Sequence, residues 1–309
     1  MKRLAILASL AAAGKAAAAL HAQGQPPLGE IEQVSARTWK IYGAGGNTTV
    51  FVRTGDVALV DTKLAGNGAA ILAQVRKVTD KPITLIINTH SHGDHVGSNS
   101  EVNSAGSIAV VAQANTSRRM AAMPNVGAAS TTFNDRLTLG SGPDRIELYW
   151  FGAGHTDGDA FVVFPAERVM AAGDIFQMLA MPRIDRNSGG SALALPESVA
   201  KARDTITGVD KVIDGHGTTV HDWAAFGSYV TFTRAVADAA RKAEPNGGTA
   251  EQALAALEAD PTSKPFVDDA VLQGARGRAL GGLTAALQEL RGEPPTPPTP
   301  PPAPAPAAR

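Results

Sequence analysis

Within residues 88–99, NTHSHGDHVGSN, four side chains able to bind a metal stand inside six positions: His90, His92, Asp94 and His95. The chain has only seven histidines, and three of them are here. His90 and His92 lie two apart, so in extended backbone both imidazoles project to the same side and can reach one ion. Gly93 lets the chain turn, which would aim Asp94 and His95 at a second ion nearby. Three further candidates stand alone in glycine-rich stretches: His155 in GAGHTDGD, Asp174 in AAGDIF and His216 in DGHG. Three neutral imidazoles, His90, His92 and His155, suit one tetrahedral zinc with a position left for water. Asp94, His95 and His216 suit a second ion, and Asp174, a hard anion, can bridge the two. Zinc accepts this mixture of nitrogen and oxygen, as do iron and manganese. A lone histidine is more often a satisfied core or surface group, but burying the whole set without a cation would be costly, which favours a metal site.

Each candidate follows an apolar, β-branched run that reads as a strand. ITLIIN (83–88) ends at the cluster, RIELYWFG (145–152) precedes His155, RVMAAGD (168–174) ends on Asp174, and KVIDGHG (211–217) carries His216. TTVFVR (48–53) and DVALVD (56–61) flank Thr54-Gly55 as a hairpin, and SIAVVA (107–112) and AFVVFP (160–165) complete the strands. Helical spacing appears over 66–79, in a short segment after Gln113, over 196–206 with Pro196 in the first turn, and over 222–243 with Asp222 as N-cap. Residues 249–291 also look helical but lack candidate catalytic groups. Strands mixed with helices indicate an α/β layered architecture, in which strand ends converge on one edge and build the site there. GAGGNT (43–48) is a weak echo of a dinucleotide loop, and it precedes a strand rather than a helix.

Hydrophobic residues make up 44% and charged residues 18%, as in an ordinary globular protein. With 28 basic against 29 acidic residues, nothing points to a nucleic-acid partner. The absence of cysteine excludes disulfides, thiolate zinc sites and cysteine nucleophiles. The N-terminus has Lys2 and Arg3, an apolar run interrupted by Lys15, and small residues before a cut after Ala19 or Ala22. It reads as an export signal over 1–22 that carries His21 away, implying a periplasmic or secreted protein with no stable membrane span. A core domain over 23–244, a helical extension over 245–292 and a proline-rich disordered tail over 293–309 complete the expected organisation.

The segments THSHGDH (89–95), GHTDGD (154–159), GD (173–174) and GHG (215–217), in that order and with Asp61 in LVDT, resemble the metallo-β-lactamase-fold superfamily. The resemblance implies a four-layer αββα sandwich with a C-terminal helical extension and a dinuclear zinc site at one edge. It also implies that His90, His92 and His155 take the first ion, Asp94, His95 and His216 the second, and Asp174 bridges. The best-known β-lactamase subclass has cysteine where Asp174 stands. An aspartate there is similar to glyoxalase II-like thioesterases, lactonases, RNA-processing nucleases and exported hydrolases, which GDIFQMLAMPRIDRNSGGS (173–191) resembles most.

The expected function is a zinc-dependent hydrolase with two zinc ions per chain. A water held between them, its pKa lowered to about 7, would attack the carbonyl of a small ester, lactone, thioester or β-lactam. Asp94 can in addition shuttle a proton. Asp61 can fix the tautomer of a ligand histidine, unless it is a turn aspartate paired with Lys63 or a backbone amide. Phe176, Met178, Leu179 and Met181 are expected either to wall a pocket or to fill core. Gln177, Arg183, Arg186 and Asn187 are candidates to bind a substrate carboxylate, unless the arginines pair with Asp185. Asp157 and Asp159 read as turn formers beside a supporting Thr156, and His221 as exposed. Alternatives are an iron-dependent persulfide-dioxygenase-like oxidoreductase and a non-catalytic metal-binding protein.

Overall fold

The computed structural model describes residues 26–177 and 179–297. The expected export signal, Met178 and the last part of the proline-rich tail lie outside the described residues. The first sheet runs in chain order through β1 (Ile31–Gln33), β2 (Thr38–Ile41), β3 (Thr48–Val52), β4 (Val57–Val60), β5 (Ile83–Asn88), β6 (Ala109–Gln113) and β7 (Thr131–Phe133). Neighbours are antiparallel as far as β4 and parallel from β4 onward. The second sheet holds β8 (Arg136–Leu139), β9 (Ile146–Tyr149), β10 (Phe161–Phe164), β11 (Val169–Gly173), β12 (Lys211–Asp214) and β13 (Val220–Asp222), with β13 and β8 at its edges. There β11 and β12 run parallel and the other neighbours antiparallel.

Strand β4 shows why the apolar runs contain no polar alternation. Val57 and Leu59 face outward against Ile71 and Val75 of helix α1 (Gly68–Arg76), while Ala58 and Val60 face the other sheet. A strand buried on both faces has no solvent side to mark with polar residues. Between the sheets, Phe51, Leu85 and Ile87 meet Val162, Phe164 and Ile213, with the Phe51 and Phe164 rings 4.7 Å apart. The short helices α2 (Gly93–Val96), α3 (Asn99–Val102) and α4 (Ala114–Ala121) lie along the first sheet's chain path. Beyond the second sheet, α5 (Leu195–Thr205) and α6 (Trp223–Ala243) cover Phe161, Met170 and Val212. The result is a four-layer αββα sandwich. Helices α7 (Ala250–Ala259) and α8 (Ala275–Leu290) extend the same outer core through Leu254, Leu257 and Leu283.

Local signals account for the helix starts. Asp222 caps α6 by accepting from the Ala225 N–H at 2.7 Å, and Thr249 with Gln252 forms a capping box on α7. Pro196 stands in the first turn of α5, where its missing N–H costs nothing. Among the described residues no helix is long and apolar enough to cross a membrane.

The topology decides where chemistry can gather. Parallel neighbours end on the same edge, so β4 and β5 deliver Asp61 and His90 together, and β11 and β12 deliver Asp174 and His216 together. Each sheet thus contributes one pair of strand ends to a common edge.

Candidate metal centre

Seven polar side chains converge at that edge. His90, His92, His155 and Asp174 each offer one ligand atom within 4.8 Å of the others, and so do Asp94, His95 and His216. His92 keeps extended backbone (φ −67°, ψ 145°), which directs it to the same side as His90, and Gly93 then opens α2, which turns Asp94 and His95 toward the second group. Asp174 spans the two groups. Its Oδ2 lies 3.3 Å from His216 Nε2 and 3.7 Å from His155 Nε2, and its Oδ1 is 3.1 Å from His95 Nε2.

The donor set fits metal ions. Ring nitrogens face one another at 3.1 Å (His90 Nε2 and His92 Nδ1), 2.9 Å (His155 Nε2 and His92 Nδ1) and 3.3 Å (His95 Nε2 and His216 Nε2). Such facing lone pairs repel unless a cation lies among them. On four of the rings the opposite nitrogen is already engaged. His95 Nδ1 meets Asp61 Oδ2 at 2.8 Å, His92 Nε2 meets Asp185 Oδ2 at 2.8 Å, His155 Nδ1 meets the Arg183 carbonyl, and His90 Nδ1 meets Thr89 Oγ1 at 3.1 Å. Acceptors at the far nitrogen of His95, His92 and His155 hold the proton there and leave the near nitrogen free to bind. Asp174 Oδ1 is moreover buried, and the polar atom facing it is His95 Nε2.

Electrostatics separate the two groups. Burial and the neighbouring imidazoles hold His90 neutral, well below the usual histidine range, and burial pulls His155 down to about 4. Burial also pulls on His95 and His216, but the carboxylates of Asp174 and Asp94 outweigh it. His95 is held well above the usual range and His216 is raised to about 9. Asp94 and Asp174 stay ionised, because the facing histidines overcome the upward push of burial. Without an ion, the second group therefore holds a proton that a metal must displace.

Backbone closeness explains two of the glycines. A Cβ on Gly46 would lie 2.2 Å from His95 Cε1, and one on Gly215 would lie 1.9 Å from Asp174 Oδ1. Segment 43–48 is therefore a seat for the His95 ring rather than a nucleotide loop. The buried Lys63 fastens the same segment, with Nζ donating to the Ile41 and Gly46 carbonyls at 2.8 and 2.9 Å.

Contacts around the site bear on the remaining candidates, and one expectation, for His221, needs correction. Asp61 does not pair with Lys63; besides His95 it accepts from the Thr89 N–H at 2.8 Å and the Thr89 hydroxyl at 2.7 Å. Asp185 pairs with neither Arg183 nor Arg186 but with His92, and that hydrogen bond holds its carboxyl below the usual range. Arg186 instead reaches Gln288 and the Glu293 carbonyl, and Asn187 the Thr296 carbonyl. Phe176 and Met181 are fully buried core, and Leu179 borders a separate hollow beside Phe266. His221 is not exposed: its ring lies against Phe176, and Nε2 is 3.2 Å from Asp214 Oδ2. Asp157 pairs with Arg119 at 2.7 Å, and the buried Asp159 accepts from the Thr156 hydroxyl at 2.6 Å, so both support the loop that carries His155.

His92, Asp94, His155, Asp174 and His216 open onto a cavity of about 970 Å³, where Gln177 and Arg183 also stand, while His90 and His95 are fully buried behind them. Its far wall is part of the C-terminal helical region, through Gly274, Gly277, Arg278 and Gly281. That contribution was invisible in the sequence, where residues 249–291 show no catalytic pattern.

Known proteins match this architecture. The sequence model of the Metallo-beta-lactamase superfamily matches residues 41–212, more than half of the chain. A "Metallo-beta-lactamase type 2" of Elizabethkingia meningoseptica is 29% identical over 104 residues, 34% of this chain and 41% of that relative's length. The chain thus aligns with less than half of that protein. Among solved structures, a metallo-beta-lactamase from Pontibacter korlensis superposes with a TM-score of 0.59 at 19% identity, covering 67% of this chain and 99% of that one. DIM-1 metallo-beta-lactamase superposes with a TM-score of 0.57 at 20% identity, covering 68% and 98%. At these identities the superpositions speak for the fold alone. The matched span begins at the end of β2 and runs into β12, taking in both sheets and every converging side chain except His216. On the strength of that match, this chain belongs to the metallo-beta-lactamase superfamily.

Proposed function

We propose that the protein is a dinuclear zinc hydrolase acting on the carbonyl of a small ester, lactone, thioester or β-lactam. His90, His92 and His155 hold one ion, Asp94, His95 and His216 the other, and Asp174 reaches both. The observation that carries this is the two-sided engagement of the imidazoles: near nitrogens converge at 2.9–3.3 Å while the far nitrogens of His90, His92, His95 and His155 meet oxygen. When bound, two such ions polarise a carbonyl and acidify a water.

The chain's own groups supply the rest. Asp61, Asp185 and the Arg183 carbonyl keep His95, His92 and His155 in the binding tautomer. Asp94 is the more exposed of the two converging carboxylates, at 24% against 6% for Asp174, so it is the one placed to pass a proton between the cavity and the site. The relatives named metallo-beta-lactamases bring β-lactams into the substrate class. Asp174, standing where the best-known of those enzymes have cysteine, widens it to other acyl compounds.

Metal analysis of purified protein with a panel of chromogenic esters, lactones, thioesters and cephalosporins tests the proposal. Two zinc ions and turnover of at least one substrate are expected, with loss of both in His92→Ala and Asp174→Ala. A variant that kept two ions and wild-type turnover would refute the assignment, as would a single iron with oxygen uptake.

A further inference from the structure

Helix α8 lies outside residues 41–212, yet it forms one wall of the metal cavity. Its cavity-facing residues follow helical spacing: Gly274 at the N-cap, then Gly277, Arg278 and Gly281. A Cβ added at any of the three glycines would meet nothing within 4 Å, so this face leaves open space and bears one functional group, the Arg278 guanidinium. That group is half-buried, and among the described residues it enters no ion pair. Its Nη1 donates to Gln177 Oε1 at 2.7 Å, and Gln177 Nε2 in turn lies 3.4 Å from Asp174 Oδ2. The guanidinium therefore stands one carboxamide away from the side chain that spans the two metal groups.

A guanidinium has five N–H donors, and here one is used. Taking a cation partly out of water is unfavourable, and the charges of Asp174 and Asp214 offset only part of that cost. A helix that held Arg278 only for packing would do better with an apolar residue. Gln177 accepts from a single nitrogen, which orients the planar fork and leaves donors for a second acceptor. The neighbouring glycines provide the room.

We propose that Arg278 is a specificity-determining residue that binds a carboxylate carried by the substrate, at a distance from the bond to be cleaved, so that the protein prefers anionic acyl compounds to neutral ones. This rests on the hydrolase function proposed above for turnover, but not for binding. Arg183, exposed on the rim of the same cavity, offers a second positive charge on the way in.

Two measurements separate this proposal from that function. Metal-loaded wild-type, Arg278→Ala and Arg278→Lys proteins are titrated calorimetrically with phenylacetate and with its neutral isostere phenylacetamide. Phenylacetate is expected to bind wild type at least about tenfold tighter than Arg278→Ala, as for a hydrogen bond to a charged group. Arg278→Lys should recover part of the difference, and phenylacetamide should bind all three alike. Equal phenylacetate affinity, or none for wild type, overturns the proposal whether or not the protein hydrolyses anything. The same proteins are then assayed on para-nitrophenyl hemisuccinate and para-nitrophenyl butyrate, which share a leaving group and differ by one carboxylate. Arg278→Ala should lower kcat/KM for the hemisuccinate about tenfold or more, mainly through KM, and leave the butyrate within about twofold. Equal losses on both esters would reduce Arg278 to a tie between α8 and Gln177 and overturn the assignment. Absence of wild-type turnover on these esters and on the whole substrate panel would refute the hydrolase function alone and leave the binding result to decide this proposal.

Discussion

Replacing Asp61 by asparagine tests how the second metal group is set up. Asp61 is 1% exposed and holds φ +62°, a conformation that asparagine tolerates better than most residues, so the substitution changes hydrogen bonding and leaves the backbone in place. One carboxylate oxygen accepts from the Thr89 N–H, and the other from the Thr89 hydroxyl and His95 Nδ1–H. The carboxamide of Asp61→Asn offers one oxygen and one NH₂, so a donor must face a donor. If the oxygen stays on the Thr89 N–H, the NH₂ confronts His95 Nδ1. His95 then shifts its proton to Nε2, the atom that points into the metal group. Loss of such an outer partner lowers metal affinity roughly 10- to 100-fold, equivalent to about 1.4–2.7 kcal/mol. A buried donor left unsatisfied would lower fold stability by about 1–3 kcal/mol. Competition with a chromophoric chelator gives both dissociation constants for wild-type and Asp61→Asn proteins, with urea unfolding of the metal-free forms alongside. The ion at Asp94, His95 and His216 should weaken most, and the ion at His90, His92 and His155 less, through Thr89 Oγ1. Wild-type affinity for the second ion would refute the role of Asp61 in fixing the His95 tautomer.

Two further outcomes follow from the same neighbourhood. Gly46→Ala should displace the His95 ring, because the new methyl would lie within 2.2 Å of Cε1, and metal analysis should find the second ion lost or greatly weakened while the first remains. Burial lowers the Lys63 ammonium from 10.5 to about 7, partly offset by Asp61. A neutral amine has two N–H donors, which matches the two carbonyls it reaches. Between those two pH values the unfolded chain keeps a Lys63 proton that the folded chain has released, so this group's contribution to stability rises with pH across the window and is flat below it. The unfolding free energy of wild type relative to Lys63→Met should accordingly increase from about pH 7 to about pH 10. A constant difference would mean that Lys63 stays charged in the folded protein.

Much of the fold was legible in local patterning. The two-faced burial of β4, β5, β10 and β11 leaves continuous apolar runs, and Asp222 and Pro196 mark helix starts by chemistry confined to one turn. The short strands β1, β2, β7, β8 and β13 were not apparent. Residues such as Thr38-Trp39-Lys40-Ile41 owe their extended form to a paired neighbour rather than to their own pattern. The same division runs through the site. The H-x-H-x-D-H spacing places four candidate ligands by local geometry, and strand-end glycines flag the other three. Which far nitrogen meets which oxygen depends on residues far apart in sequence.

The sequence by itself therefore determined the candidate ligands and the layered α/β class, since side-chain type, strand alternation and turn chemistry act over a few residues. Only the tertiary structure decided the partners: Asp185 on His92, 93 positions away, and Arg278 on Gln177, 101 positions away. Such pairings are set by where parallel strands end and how helices close over them, and no short-range periodicity records that. Asp185 beside two arginines looked like a local ion pair, and Arg278 stands in a helical stretch with no catalytic pattern. Folding brought Arg278 to the cavity wall and Asp185 to the far nitrogen of His92 because the backbone passes there.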